Sequence, residues 1–126
     1  MQALIVDDSR AMRRILRNII EPLGIQVAEA GHGVEGLQCL SEYPETELVF
    51  VDWNMPVMNG IEFVKAVRAN SSNDRTKVLM VTSENTLTAV ILALKAGADE
   101  FVMKPFTTDI VLDKLRLMGV SLPAVE

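Results

Sequence analysis

The chain has one cysteine, one histidine and no long apolar run, and each scarcity removes a class of protein. A lone Cys39 cannot close an internal disulfide, which excludes a disulfide-stapled scaffold. It lies in a helical pattern with Leu37 and Leu40, a setting that suits a small buried or half-buried filler better than a reactive thiol. His32 sits in the turn Gly31-His32-Gly33 with no second His, Cys or spaced acid beside it, so it reads as a loop residue rather than a metal ligand or base. No apolar stretch approaches the roughly 20 residues of a membrane helix, and Met1 to Asp8 lacks the basic region of a signal peptide. A soluble cytoplasmic protein with no membrane association is expected. Positive charge is also short: 12 Lys and Arg against 17 Asp and Glu leave −5, which argues against general nucleic-acid binding. Internal repeats, low-complexity tracts and a second-domain boundary are missing too.

What remains is 126 residues, 49% hydrophobic, enough for one domain with a substantial core. Short apolar runs at Ala3-Leu4-Ile5-Val6, Leu48-Val49-Phe50-Val51, Val78-Leu79-Met80-Val81 and Glu100-Phe101-Val102-Met103 read as buried strands, with Gln26-Val27-Ala28-Glu29 a weaker fifth. Between them lie helical patterns. The first, capped by Ser9, repeats Met12, Ile15, Leu16, Ile19, Ile20 and Leu23 and stops at Gly24. Others run over Val34 to Tyr43, from about Ile61 with Val64 and Val67 inside, along a stripe of Leu87, Val90, Ile91 and Leu94 that stops at Gly97, and over Thr108 to Met118. Five strands alternating with five helices predict an α/β fold with a parallel sheet covered on both faces. The domain is expected over residues 1–119, with 120–126 a tail or the start of a linker.

In such sheets functional groups gather at the carboxyl ends of the strands, near the switch point of the strand order. The residues there are Asp7, Asp8, Asp52, Thr82 and Lys104. A carboxylate ending a core strand carries a desolvation cost and needs a partner, a metal or a reaction to justify it. Three such acids would repel one another without a cation among them, and an all-oxygen set suits a hard divalent ion such as Mg²⁺, with Mn²⁺ an equivalent. A metal, a lysine and a hydroxyl around a carboxylate are the parts of a phosphoryl-transfer site, with Asp52 as the nucleophile that becomes an acyl phosphate. Singly, each residue has a plainer role: Asp7-Asp8 as helix caps, Thr82 as a β-former, Lys104 as a surface charge. The basic stripe Arg10, Arg13, Arg14 and Arg17 on the first helix leaves two readings, a solvated face or a docking surface for an acidic partner.

The order Asp7-Asp8, Asp52, Thr82 and Lys104-Pro105, spread over nearly the whole chain, resembles the receiver domains of bacterial two-component response regulators. The runs Asp52-Trp53-Asn54-Met55-Pro56, Met58-Asn59-Gly60 and Lys104-Pro105-Phe106 look most similar to the stand-alone chemotaxis regulators within that family. The resemblance implies a flavodoxin-like (βα)5 doubly wound sheet of five parallel strands in the order 2-1-3-4-5. It also implies phosphotransfer to Asp52 from a histidine kinase or histidine phosphotransfer domain. On that likeness Asp7, Asp8, Asp52 and the backbone carbonyl of Asn54 bind Mg²⁺, and Lys104 pairs with the phosphoryl oxygens. Thr82 reaches the phosphoryl group and makes room for Phe101 to rotate inward, while Asn54 and Glu84 tune dephosphorylation. The Lys104-Pro105 peptide would be cis, the first helix would meet the kinase, and the fourth helix, fifth strand and last helix, including Leu87, Lys95, Phe101 and Lys114, would meet an output protein. A monomer is expected, with dimerisation on activation left open. One departure stands out: the chemotaxis regulators carry tyrosine where this chain has Phe101, whose ring has no hydroxyl to bond outside, so the inward state should be favoured.

Three other readings are weighed. Aspartyl phosphatases of the haloacid dehalogenase type need a second Asp two residues after the nucleophile, and here that residue is Asn54. FMN binding of the flavodoxin type needs a Ser/Thr/Gly-rich phosphate loop after the first strand, where this chain has Asp7-Asp8. A receiver-like module that works without phosphorylation keeps the fold and loses the chemistry.

Overall fold

The computed structural model describes residues 1–83 and 86–122. Among them five strands, β1 (Gln2–Val6), β2 (Gln26–Ala30), β3 (Thr46–Asp52), β4 (Lys77–Thr82) and β5 (Glu100–Met103), alternate with α1 (Arg10–Ile20), α2 (Gly33–Glu42), α3 (Gly60–Ala69), α4 (Leu87–Ala96) and α5 (Thr108–Leu117). Every strand pairing is parallel and the order is β2-β1-β3-β4-β5, as the sequence led one to expect. Parallel neighbours need long crossovers, and here each crossover contains a helix.

Side chains alternate across the sheet and feed two cores. Leu4, Val6, Val49, Val51, Val78 and Met80 pack with Leu40, Phe63, Val64, Val67 and Ala93 of α2, α3 and α4. On the other face Ala3, Ile5, Leu48, Phe50, Leu79, Val81 and Val102 meet Leu16, Ile20, Val111 and Leu115 of α1 and α5. The central strands therefore read as continuous apolar runs, because both of their faces are covered. Helix starts are fixed locally. Ser9, Thr86 and Thr107 accept the amide protons of Met12, Ala89 and Ile110, and Asn59 and Glu62 form a reciprocal capping box on α3. His32 caps α2, its Nδ1 accepting from the Glu35 amide at 3.2 Å. Cys39 is half-buried, and burial, with Glu35 and Glu42 adding to it, pushes its thiol pKa up, as befits a filler.

Helix α4 is seated on its small side chains. Its buried residues are Ala89, Ala93 and Ala96, while Leu87, Ile91 and Leu94 of the apolar stripe are exposed and Val90 is half-buried. The helix is apolar nearly all round, so periodicity could not choose its inner face. Small side chains on the buried face let a helix approach its neighbours closely, and the large ones are left outside. Ala93→Leu should therefore lower stability by roughly 1–3 kcal/mol through overpacking. Leu87→Gln, at a residue 74% exposed, should stay within about 0.5 kcal/mol of wild type. Urea unfolding of the two variants checks the pair.

Just beyond the boundary expected at residue 119, the chain still packs on the domain. Val120 is buried in the α1/α5 core, its amide bonding Leu115 O at 3.0 Å, and Leu122 packs against the same cluster. Residues 123–126 lie outside the described residues.

Candidate functional site

The strand order reverses between β1 and β3, which lie side by side with Val6 opposite Val51. Their ends therefore place Asp7 beside Asp52 at the switch point of the sheet. Both carboxylates are buried and Asp8 is exposed, and one oxygen from each of the three lies within 4.8 Å of the others. Lys104, just after β5, reaches back across β4: its Nζ donates to Asp52 Oδ1 at 3.0 Å and stands 3.8 Å from Asp7 Oδ2. Thr82, buried at the end of β4, accepts the Lys104 backbone N–H at its carbonyl oxygen at 2.8 Å, which fixes the two loops to each other. The Lys104-Pro105 peptide is cis. Thus five residues from four separate strand ends meet in one cluster.

The donor set fits a divalent cation. Asp7 Oδ1 accepts the Ser9 amide at 2.8 Å, but Asp7 Oδ2 is buried and makes no hydrogen bond among the described residues. Such an oxygen is costly to bury charged unless a cation rewards it. Burial first, with help from Asp52 and Asp8, outweighs the Ser9 amide and Lys104 and raises the Asp7 pKa from its ordinary 3.8 to about 6. The cluster is an acidic pocket able to bind a metal.

The raised pKa has a definite sign in stability. The folded protein holds the Asp7 proton more tightly than the unfolded chain, so this contribution is full below the ordinary carboxyl pKa and lost as pH rises through about 6. Near pH 7 the ionised group destabilises the metal-free fold by up to about 3 kcal/mol. Asp7→Asn should therefore stabilise the chelator-treated protein by roughly 1–3 kcal/mol near pH 7 and by almost nothing near pH 4. Urea unfolding at the two pH values decides it. Protons should also compete with the cation below about pH 6.

The other sequence candidates divide. Of the arginine stripe, Arg13 bonds Glu29 at 2.9 Å and the Asp7 carbonyl, and Arg17 pairs with Glu29 at 2.8 Å and Glu21 at 3.3 Å. Of the four, only Arg10 and Arg14 enter no ion pair among the described residues. The other two tie α1 to the edge strand β2. Phe101 is half-buried against the α3/α4 core with Lys114 Nζ 4.7 Å from its ring centre. Leu87 and Lys95 are exposed on α4, Asn54 is exposed two residues after Asp52, and Glu84 lies outside the described residues.

Sequence reasoning passed over two supports. Ser9 was read only as a helix cap, yet its amide also holds Asp7; the Asp-x-Ser spacing of an Asx turn was the available signal. Gly60 opens α3 where a Cβ would lie 2.6 Å from Asp52 O and 2.9 Å from Trp53 Cα. Nothing local marks that crowding.

The chain matches the family model of the response regulator receiver domain over residues 3–116. It is 43% identical to the chemotaxis protein CheY1 of Helicobacter pylori over 119 residues, covering 94% of this chain and 96% of that one. A CheY homolog of Campylobacter jejuni is 45% identical over 116 residues, 91% of this chain and 89% of its own. Among solved structures, the chemotaxis response regulator CheY4 of Vibrio cholerae superposes with a TM-score of 0.87 at 33% identity, over 93% of this chain and 97% of that one. With the family model spanning nearly the whole sheet, and the acids and lysine gathered at its switch point, the chain belongs to the receiver domains of response regulators, in their CheY-like branch.

Proposed function

We propose that the protein is a phosphorylation-operated switch of two-component signalling that accepts a phosphoryl group on Asp52. The observation that carries this reading is Lys104 Nζ 3.0 Å from Asp52 Oδ1, with oxygens of Asp7, Asp8 and Asp52 mutually within 4.8 Å. Asp7, Asp8, the Asp52 carboxylate and the Asn54 carbonyl would hold Mg²⁺, or Mn²⁺ in its place. When bound, the ion supplies positive charge against the phosphoryl oxygens. An Asp52 oxygen attacks the phosphorus of a phosphohistidine on a histidine kinase or histidine phosphotransfer domain. The new P–O bond forms as the P–N bond breaks, and its electron pair stays on the donor nitrogen. Lys104, already beside the nucleophile, pairs with the transferred group without having to travel. The protein changes itself and turns over no external substrate.

The readout runs through β4 and β5. The Thr82 hydroxyl donates to the phosphoryl group and draws its loop inward, and Phe101 turns into the space left behind. That motion must give up the contact between Lys114 and the Phe101 ring, worth about 0.5–1 kcal/mol at a partly exposed site. The output surface is α4, β5 and α5, where Leu87, Lys95, Phe101 and Lys114 meet a partner protein. Arg10 and Arg14 receive the kinase side, and Asn54 with Glu84 governs how water reaches the acyl phosphate. The names of the relatives support chemotaxis as the pathway, and a cytoplasmic place goes with that reading.

Intact mass after incubation with acetyl phosphate tests the reading. One added phosphoryl group in Mg²⁺, and none in chelator, is expected. A folded protein that gains no mass in either would leave only the phosphorylation-independent module.

A further inference from the structure

Arg13 belongs to the basic stripe of α1, yet its side chain is only 15% exposed and its guanidinium is engaged at both Nε and Nη1. Nε donates to Glu29 Oε1 at 2.9 Å, and Nη1 donates to the backbone carbonyl of Asp7. That carbonyl belongs to the peptide joining Asp7 to Asp8, so the guanidinium fixes the plane from which both acids project. The rest of Asp7 is held as well: its amide bonds Ala30 O at 3.1 Å and its Oδ1 accepts from Ser9 N at 2.8 Å. Oδ2 makes no hydrogen bond among the described residues. Glu29 is itself anchored, with its second oxygen 2.8 Å from Arg17 Nε.

We infer that Arg13 is a positioning residue for the metal-binding acids, acting through Glu29 on β2 and the Asp7-Asp8 peptide plane. This rests on the metal reading of the previous subsection. Guanidinium is suited to the task because its planar fork bonds two acceptors at fixed angles, which a lysine ammonium on a flexible stem does not. Simple charge predicts the opposite sign: a cation near the acids should repel Mg²⁺, and its removal should tighten binding. Glu29 neutralises most of that field, so the orientation effect dominates. Loss of such an outer support typically weakens a metal site by about tenfold or more.

The test is a Mg²⁺ titration followed by Trp53 fluorescence on wild type, Arg13→Met and Arg13→Lys, with a urea midpoint for each in chelator. Arg13→Met keeps an apolar stem and leaves Glu29 paired with Arg17, so its midpoint should stay close to wild type while Mg²⁺ affinity falls about tenfold. Arg13→Lys keeps the charge and loses the fork, and its affinity should also fall several-fold. Arg13→Lys binding Mg²⁺ like wild type, or Arg13→Met binding as well or better, overturns the inference. If Arg13→Met does not fold, Arg13→Lys alone decides. Wild type that shows no Mg²⁺ response would instead overturn the metal reading beneath it.

Discussion

Asp52→Asn protein, incubated with acetyl phosphate and Mg²⁺, should keep its unmodified mass under conditions that label wild type to near completion. The expected loss is at least about a hundredfold, because covalent catalysis needs the nucleophile itself. A carboxamide matches the carboxylate in shape but offers no anionic oxygen to phosphorus. It also gives Lys104, 3.0 Å from Oδ1, no charge to pair with. The contrast between carboxylates makes this specific. Asp8 is exposed and Asp7 Oδ1 is occupied by the Ser9 amide, whereas Asp52 is both buried and directly bonded to the lysine. Intact mass should therefore show Asp52→Asn unmodified, while Asp8→Asn labels slowly and only at raised Mg²⁺. Phosphorylation of Asp52→Asn at another residue, at a rate near wild type, would displace Asp52 from the proposed role.

Gly60→Ala should destabilise the protein by roughly 2–3 kcal/mol, although the helix-propensity scale alone says it should stabilise. Alanine is favoured over glycine in a helix by about 1 kcal/mol. At Gly60 that gain is outweighed by contact: the added Cβ would lie 2.6 Å from Asp52 O, 2.9 Å from Trp53 Cα and 3.0 Å from Met80 Sδ. Two of those neighbours are backbone, so relief requires moving the strand end that carries the phosphoacceptor candidate. Gly24→Ala is the control. Gly24 has a φ of 82° and nothing within 4 Å of its Cβ position, so its loss should be about 1 kcal/mol, from backbone strain alone. The larger drop in urea midpoint for Gly60→Ala, with slower labelling of Asp52, is the expected pair of results. Equal drops would mean that the α3 start shifts freely and that the close approach is not essential.

The strands were legible because buried parallel strands are local events: short apolar runs, each ended by a polar residue or a turn. Asp7, Asp52, Thr82 and Lys104 could be picked out for the same reason, since a charge or hydroxyl that ends a core strand stands out against what precedes it. The inner face of helix α4 was not legible on the same logic, because Leu87, Ile91 and Leu94 repeat at helical spacing and the alanines that seat it repeat there too. A helix apolar on every side holds no internal record of its orientation. The arginines were ambiguous for a different reason. Their spacing identified one helix face, yet whether that face meets water or the edge strand depends on Glu29, sixteen residues beyond Arg13.

By itself, then, the sequence determined the alternation of elements, the cap of α1 at Ser9, and the strand-end residues that carry the proposed chemistry, because periodicity and turn chemistry act within a few residues. The tertiary structure alone decided that Asp7 Oδ2 stays without a hydrogen bond among the described residues, that Arg13 holds the Asp7 carbonyl, that Gly60 must lack a side chain and that α4 turns its leucines outward. Each of those depends on which atoms of distant segments come within bonding or contact distance, and that is fixed only when the sheet closes around its switch point.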